Sequence, residues 1–291
     1  SWVAIATTCV TSSMFLTALA PNLLAVDLIA KSSGHVITWA EWASVMLPLM
    51  VPLFLITPWL IYVIYPPTQK KSPEAPAWAA EELKTLGAIT FKEYLMAGLA
   101  TVALILWIFN QEFGLDSTTV AIAIVSIMVL ANIITWDDLI SNKAAFNVLI
   151  WFASLVAMAS GLQKVGVLTW IGANTQTMLS GMSPTALILS LVVLFFILHY
   201  FFASVTAHVT ALIPIFMAIA INLLTPEQII PFSIILAGSL GVMGIITPYA
   251  TGPSPIWYGA GYISQGRWWA LGAIFGTLYL SVIILGAFIF I

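Results

Sequence analysis

Thr247-Pro-Tyr-Ala-Thr-Gly-Pro-Ser-Pro-Ile-Trp-Tyr-Gly-Ala-Gly-Tyr-Ile263 is the stretch on which the fold turns. An apolar run from Pro231 to Ile246 leads into it, long enough for most of a membrane helix, and a second apolar run follows. Pro248, Pro253 and Pro255, with Gly252 among them, cannot continue a helix, because a proline lacks the amide hydrogen and its ring clashes with the preceding turn. The chain therefore unwinds between two hydrophobic arms. In hydrocarbon an unwound backbone is tolerated only where it is buried in protein or lines a watery cavity. Interrupted helices of this kind build midplane binding sites from half-helix ends and free carbonyls.

Outward from that stretch, composition sets the class. Of the 291 residues 62% are hydrophobic and 7% charged, and the mean hydropathy is +1.09. No soluble domain of this size has such a balance, and the 16 Phe and 12 Trp suit bilayer-facing and interfacial positions. Alternating strand patterns of the outer-membrane barrel type are missing. The reading is an all-α polytopic membrane protein. The net charge of -3 has no bearing on nucleic acid, and with no basic cluster outside the loops a nucleic-acid partner is not expected. Cys9, in an apolar run, reads as a small packing residue. The start, Ser1-Trp-Val-Ala-Ile-Ala, has no initiator Met, signal peptide or polar lead-in, so a preceding segment is expected in the native protein.

In order, residues 1–30 form a segment broken near Thr17-Ala-Leu-Ala-Pro21-Asn22, and 31–67 a turn and a membrane helix, Trp42 to Tyr65, kinked at Pro48, Pro52 and Pro58. Residues 68–93 are the longest polar loop, with a short surface helix over Ala77 to Leu86. Beyond it, apolar runs cover Tyr94 to Phe109, Thr118 to Trp136, Asn147 to Gln163, a weaker amphipathic Val165 to Leu179, Ala186 to Phe202, Ala207 to Leu223, the interrupted 231–264, and Trp268 to Ile291. The pair within 186–223 reads either as two full spans or as a re-entrant hairpin with its tip at Ala203-Ser204-Val205-Thr206. Lys70, Lys71, Lys84 and Lys92 place the 68–93 loop in the cytoplasm by the positive-inside rule, and alternation then puts Lys143 and Arg267 on the same side, with Lys31 and Lys164 outside. Both interruptions, at Ala18-Leu-Ala-Pro21-Asn22 and at Ala250-Thr-Gly-Pro253-Ser254, share one pattern in helices of opposite direction, the signature of inverted repeats. Residues 1–30 would close a first repeat and 94–291 would form the second.

Three stretches carry a family resemblance: Ser12-Ser-Met-Phe-Leu-Thr-Ala-Leu-Ala-Pro-Asn22, His199-Tyr-Phe-Phe-Ala-Ser-Val-Thr-Ala-His208, and Ile246-Thr-Pro-Tyr-Ala-Thr-Gly-Pro-Ser-Pro-Ile256 with Tyr258-Gly-Ala-Gly-Tyr-Ile263. The chain resembles the divalent anion/sodium symporters, and within them the bacterial citrate, tartrate and succinate exchangers and the plastid 2-oxoglutarate/malate translocators. The likeness spans the whole chain and matches roughly the latter three fifths of such a transporter. It implies a hairpin tipped by Ser-Asn-Thr that binds a substrate carboxylate and helps to hold sodium; that tip falls on Ser204-Val205-Thr206, where Val replaces the amide ligand. The family's Thr-Pro-Pro-Asn interruptions fall on Leu19-Ala20-Pro21-Asn22 and Thr251-Gly252-Pro253-Ser254, with Ser12 and Ser13 where symporters carry glycines. Both departures favour an exchanger over a sodium symporter. Sodium, if bound, would use backbone near Ala203 and Ala250.

The residues allow two readings at each point. A dicarboxylate needs donors that are easily desolvated, which hydroxyls and helix N-termini supply. Ser204 and Thr206 either face the anion or cap the helix that starts there. Thr251 is expected to line the site, whereas Thr247 lines it or satisfies a carbonyl freed by Pro248. Ser12, Ser13 and Thr17 touch substrate or pack helices. His208 and His199 flank the tip; His208 either supplies positive charge in place of sodium or, like His199, serves as an interhelical donor. Asp27 reads as a polar cap, Asp137 and Asp138 as the solvated start of the next element, Trp257 and Tyr258 as interfacial or wall residues, and Gly259 and Gly261 as packing contacts. No Ser/His/Asp order, metal-ligand cluster or phosphate loop is present, which argues against an enzyme.

The expectation is a secondary carrier that exchanges di- or tricarboxylates (citrate, succinate, tartrate, malate or 2-oxoglutarate) in a bacterial inner membrane, or alternatively a plastid inner envelope. By analogy it is a homodimer in which hairpin and broken helices move, elevator-fashion, against a scaffold near residues 42–135. No cofactor is expected. A sodium-coupled symporter is the alternative, and a channel or intramembrane enzyme a more remote one.

Overall fold

A computed structural model of the chain describes residues 2–67, 71–109, 113–167, 170, 174 and 181–291. Most of Val165 to Leu179, expected as a weak amphipathic segment, lies outside them. The described elements are helical. Six helices among them are long and apolar enough to cross a membrane. Contacts divide the chain into two compact units, residues 1–64 with 150–291, and residues 65–149.

In the first unit, α1 (Trp2–Met14), a 3-10 turn (Leu16–Ala18) and α2 (Ala20–Ser33) form the first interrupted helix. Then comes α3 (Trp39–Ile64), unbroken despite Pro48, Pro52 and Pro58. The unit resumes after residue 150 with α9 (Pro184–Leu198), a 3-10 turn (His199–Phe201), α10 (Val205–Leu223), α11 (Pro226–Val242), a second 3-10 turn (Met243–Ile245), α12 (Pro253–Gly259) and α13 (Gln265–Phe290). The second unit holds α4 (Ala75–Leu86), α5 (Phe91–Ile108), α6 (Ser117–Leu130) and α7 (Trp136–Ile140), and α8 (Lys143–Lys164) begins in it. Residues 94–149, expected to belong to one repeat with 150–291, thus group with the polar loop. The segment 42–64, expected in a scaffold, packs as part of α3 on α1, α11 and α13 beside the interruptions.

Helix α11 is apolar all round, as a helix enclosed on every side must be. Every residue from Phe232 to Val242 is buried, and α1, α2, α3, α9, α10 and α13 all touch it. Between membrane helices there is no hydrophobic driving force from water, so small residues that let backbones approach hold the bundle. Gly241 shows this: a Cβ there would sit 2.5 Å from the Ser13 nitrogen and Oγ, so the α1–α11 contact admits only glycine. Gly272 on α13 has the same role toward the second interruption, because a Cβ there would lie 2.7 Å from the Ile246 carbonyl oxygen. At Gly244 the missing side chain leaves room for the Thr251 methyl and the Cys9 sulfur, 3.0 and 3.2 Å from where a Cβ would stand. Cys9 is buried, in keeping with a packing residue.

Pro248 lies within the second interruption, whereas Pro21, Pro253 and Pro255 lie just beyond the interruptions, in the helices that restart. The first helix ends at Met14 and restarts at Ala20, with Pro21 in the first turn; the second breaks after Ile245 and restarts at Pro253. A first-turn amide has no intrahelical partner, so a proline starts a helix there at no loss. Residues 15–19 and 246–252 are the unwound stretches, and Pro253 and Pro255 belong to α12.

The second unit follows its caps. Thr90 and Glu93 form a capping box at α5, and Asp116 accepts from the amides of Thr118 and Thr119 at α6. The run Thr118 to Trp136, read as one segment, ends at Leu130, turns through Asn132 in the left-handed region at φ 53°, and restarts on a Thr135/Asp138 capping box. The Thr135 hydroxyl, then its amide, holds the Asp138 carboxyl below the usual range. Asp138 therefore starts an element, as expected. Asp27 pairs with Lys31 one turn on, at 2.7 Å on an exposed face, as a polar helix end does.

Candidate functional site

Each interruption frees carbonyls, and side chains collect several of them. In the first, Asn22 Nδ2 donates to the Ser12 and Phe15 carbonyls at 2.8 and 3.3 Å, and Trp42 Nε1 donates to the Ser13 carbonyl at 3.1 Å. In the second, Ser254 Oγ donates to the Gly244 carbonyl at 3.2 Å, and His199 Nε2 to the Ala250 carbonyl at 2.9 Å. This is the accounting that buried backbone requires.

Two of the expected substrate ligands are redirected by these bonds. Both donors of Asn22 are engaged with the interruption, and what remains is its buried carbonyl oxygen, without a partner among the described residues, an acceptor that repels a carboxylate. Asn22 is therefore a clamp on the first interruption and not an anion donor. Ser13 is fully buried, its Oγ accepting from the Val242 amide at 3.0 Å across the Gly241 contact, so it joins the C-terminal ends of α1 and α11. His208 is also fully buried, its ring edge-on to those of Phe195, Phe202 and His199 at 4.4, 5.0 and 4.9 Å, with neither nitrogen hydrogen-bonded among the described residues. Its surroundings are aromatic, not anionic. Thr247 does not reach a freed carbonyl; its Oγ1 accepts from the Tyr249 amide at 3.4 Å.

The remaining candidates are less engaged. Hydroxyls in this chain often fold back on their own helix, as those of Thr7, Ser32, Ser33, Thr210 and Ser281 do. Those of Ser12, Thr17, Thr206 and Thr251 make no hydrogen bond among the described residues, and all four residues are half-buried. Ser204 is the N-cap of α10, its Oγ accepting from the Ala207 amide at 3.4 Å, which leaves its own hydrogen free to donate. The amides of Thr251 and Gly252 are also unpartnered among the described residues, and Pro253 opens α12 directly after them.

These residues lie on elements that are tied together. Ser13 joins the first interruption to the end of α11, Cys9 and Thr251 meet over Gly244, and α1 packs on α12. The turn before the hairpin tip is tied to the second interruption by His199 and Ala250, and by Tyr249, whose hydroxyl donates to the Tyr200 carbonyl at 3.1 Å. Helix α10, which starts at the tip, packs most extensively on α2, which starts at the first interruption. Of the backbone positions considered for sodium, the Ala250 carbonyl already accepts from His199, and Ala203 is exposed. The Gly241 and Gly272 contacts were not singled out from the sequence. Gly272-Ala-Ile-Phe-Gly276 in an apolar run was the signal that could have found the second of them.

Comparison with known proteins gives the family. The family model for the sodium:sulfate symporter transmembrane region matches residues 1–290. L-tartrate/succinate antiporters of Escherichia coli (strain K12), Shigella boydii serotype 4 (strain Sb227) and Shigella flexneri are each 45% identical over 285 residues, covering 98% of this chain and 58% of the relative. The chain thus spans rather less than two thirds of the length of the curated relatives it matches. With near-complete coverage by the family model and this identity to its antiporters, the chain belongs to the sodium:sulfate symporter family of divalent anion transporters.

Proposed function

We propose that this chain forms the anion-binding part of a secondary carrier that exchanges one dicarboxylate for another, with succinate and tartrate the first substrates to consider. The observation that carries the reading is the set of donors at the two interruptions and the hairpin tip that are unpaired among the described residues: the hydroxyls of half-buried Ser12, Thr17, Thr206 and Thr251, and the amides of Thr251 and of exposed Gly252. A carboxylate accepts several such bonds, and neutral donors are desolvated at far lower cost than cations. The antiporters named above support the substrate class and the exchange mode.

Sodium is not part of this proposal. The carbonyl of Ala250, a natural cation ligand in an unwound segment, is engaged by an imidazole N–H, and Val205 stands between Ser204 and Thr206 where the resemblance implies an amide. We place the carrier in a bacterial inner membrane as a homodimer, with residues 186–223 as a re-entrant hairpin and an inverted pair of interrupted helices that alternate between the two faces. Loaded and empty states then differ in stability by what the anion contributes to each, which couples outward to inward transport.

The test is counterflow in proteoliposomes. Labelled succinate is expected to enter only vesicles preloaded with succinate, tartrate, malate, citrate or 2-oxoglutarate, at a rate indifferent to a sodium gradient. Uptake into empty vesicles driven by inward sodium would replace exchange with symport, and conductance without counterflow would make the protein a channel.

A further inference from the structure

We propose that His199 is a positioning residue for anion binding: together with Tyr249 it latches the second unwound segment to the turn before the hairpin tip, fixing the direction in which Thr251 presents its donors. The inference rests on the site proposed above and adds the part that holds it in shape.

Two hydrogen bonds run in opposite senses between the same short stretches. From the turn, His199 Nε2 donates to the Ala250 carbonyl at 2.9 Å; from the unwound segment, the Tyr249 hydroxyl donates to the Tyr200 carbonyl at 3.1 Å. Since a carbonyl can only accept, the His199 tautomer is set with its proton on Nε2. Each side chain addresses backbone, so adjacent residues 199 and 200 are fixed against adjacent residues 249 and 250. A single bond leaves a pivot; two bonds from neighbouring residues remove it. Trp269 of α13 closes the arrangement, its ring stacked on Tyr200 with centroids 6.2 Å apart and edge-on to Tyr249 at 6.1 Å.

The consequence for Thr251 follows from peptide geometry. The peptide unit is planar and trans, so the carbonyl of residue 250 and the amide of residue 251 point in opposite directions. Holding the Ala250 oxygen against His199 therefore turns the Thr251 amide, unpartnered among the described residues, away from the imidazole. The Thr251 methyl is seated against Gly244, which leaves the hydroxyl as the free branch of the side chain. In an unwound stretch with no helix ladder, no other hydrogen bond among the described residues holds the Ala250 carbonyl in that direction. His199 and Tyr249 touch no substrate in this scheme. They reduce the conformational freedom that binding would otherwise have to remove.

The experiment uses the intact protein in proteoliposomes, with succinate as the probe, and separates apparent affinity from maximal exchange rate. His199→Leu and Tyr249→Phe are each expected to raise the half-saturating succinate concentration about fivefold, the scale of one net hydrogen bond, with the maximal rate nearly unchanged. His199→Gln keeps an N–H donor and is expected to restore affinity, which a merely structural role for the ring would not predict. The double variant His199→Leu/Tyr249→Phe is expected to lose little beyond either single change, because both hold one segment. Unchanged affinity in Tyr249→Phe, which keeps the ring and its packing, or a His199→Gln protein as impaired as His199→Leu, overturns the latch. Thr251→Ala, measured in parallel, separates the two ideas: an affinity loss there with intact latch variants leaves the proposed site standing and removes only the latch, whereas no loss in Thr251→Ala removes the site itself.

Discussion

Replacing Asn22 with leucine is expected to lower the stability of the protein by about 1–3 kcal/mol, seen as a fall in the thermal unfolding temperature of the detergent-solubilised protein. The side chain is fully buried and its two N–H groups reach the carbonyls of Ser12, near the end of α1, and of Phe15, which also accepts the Ala18 amide. Leucine has a similar branched outline but is larger and has no donor, so the Ser12 carbonyl would lose its side-chain partner in a low-dielectric interior, at about 1–3 kcal/mol, while the Phe15 carbonyl would keep the Ala18 amide at 3.0 Å. The loss is expected to appear as poor folding with little change in substrate affinity of the fraction that folds. A variant that unfolds like the parent but binds succinate weakly would mean that Asn22 faces the anion after all.

The second large effect is functional. Thr206→Ala and Thr251→Ala are each expected to weaken succinate binding about tenfold, near 1.4 kcal/mol for one lost charge-assisted hydrogen bond. They lie on different elements, the first turn of α10 and the unwound segment before α12. Their effects should therefore add, to about a hundredfold in the double variant. Neither hydroxyl makes a hydrogen bond among the described residues, so the unfolding temperature should stay put. Ser13→Ala makes the contrast, since its oxygen receives the Val242 amide in the close α1–α11 contact at Gly241 and its loss should fall on stability. Equilibrium binding by scintillation proximity, paired with thermal unfolding, reads both columns. Two threonine variants with parental affinity would empty the proposed site.

How far the sequence could be read divides along physical lines. Hydropathy placed the apolar segments well, because burying a backbone in lipid leaves few options: α3, α5, α9, α10 and α13 fall within a few residues of the runs read from composition. Caps misled the reading in one place. Thr118 to Trp136 looks like one apolar run, but Asn132 takes a left-handed turn and Thr135 with Asp138 caps a new helix, which hydropathy alone does not see. The prolines marked both interruptions, Pro248 from within the second, while Pro21, Pro253 and Pro255 fall in the restarting helices, since a proline is as much a helix starter as a breaker.

The site was less legible for a different reason. A hydroxyl or amide beside an interruption has two uses, to satisfy freed backbone or to meet a ligand, and the sequence spells both alike. Asn22 and Ser13 went to the backbone and to a helix contact, while Thr206 and Thr251 stayed unpaired. Which residue takes which use depends on neighbours distant in the chain: Val242 for Ser13, and Tyr200 and Ala250 for the Tyr249 and His199 pair. Those pairings span up to 229 residues and have no local signature.

Cys9, packed with the Thr251 methyl over the bare α-carbon of Gly244, is the chain's single sulfhydryl. Nature has in effect installed a reporter at the seam between α1 and the second unwound stretch. Any stage of the working cycle that parts those two strands of the machine would admit a small membrane-permeant alkylating reagent, and any stage that keeps them together would shield the sulfur. The rate of labelling with and without succinate would then time the seam's opening in an otherwise unaltered protein.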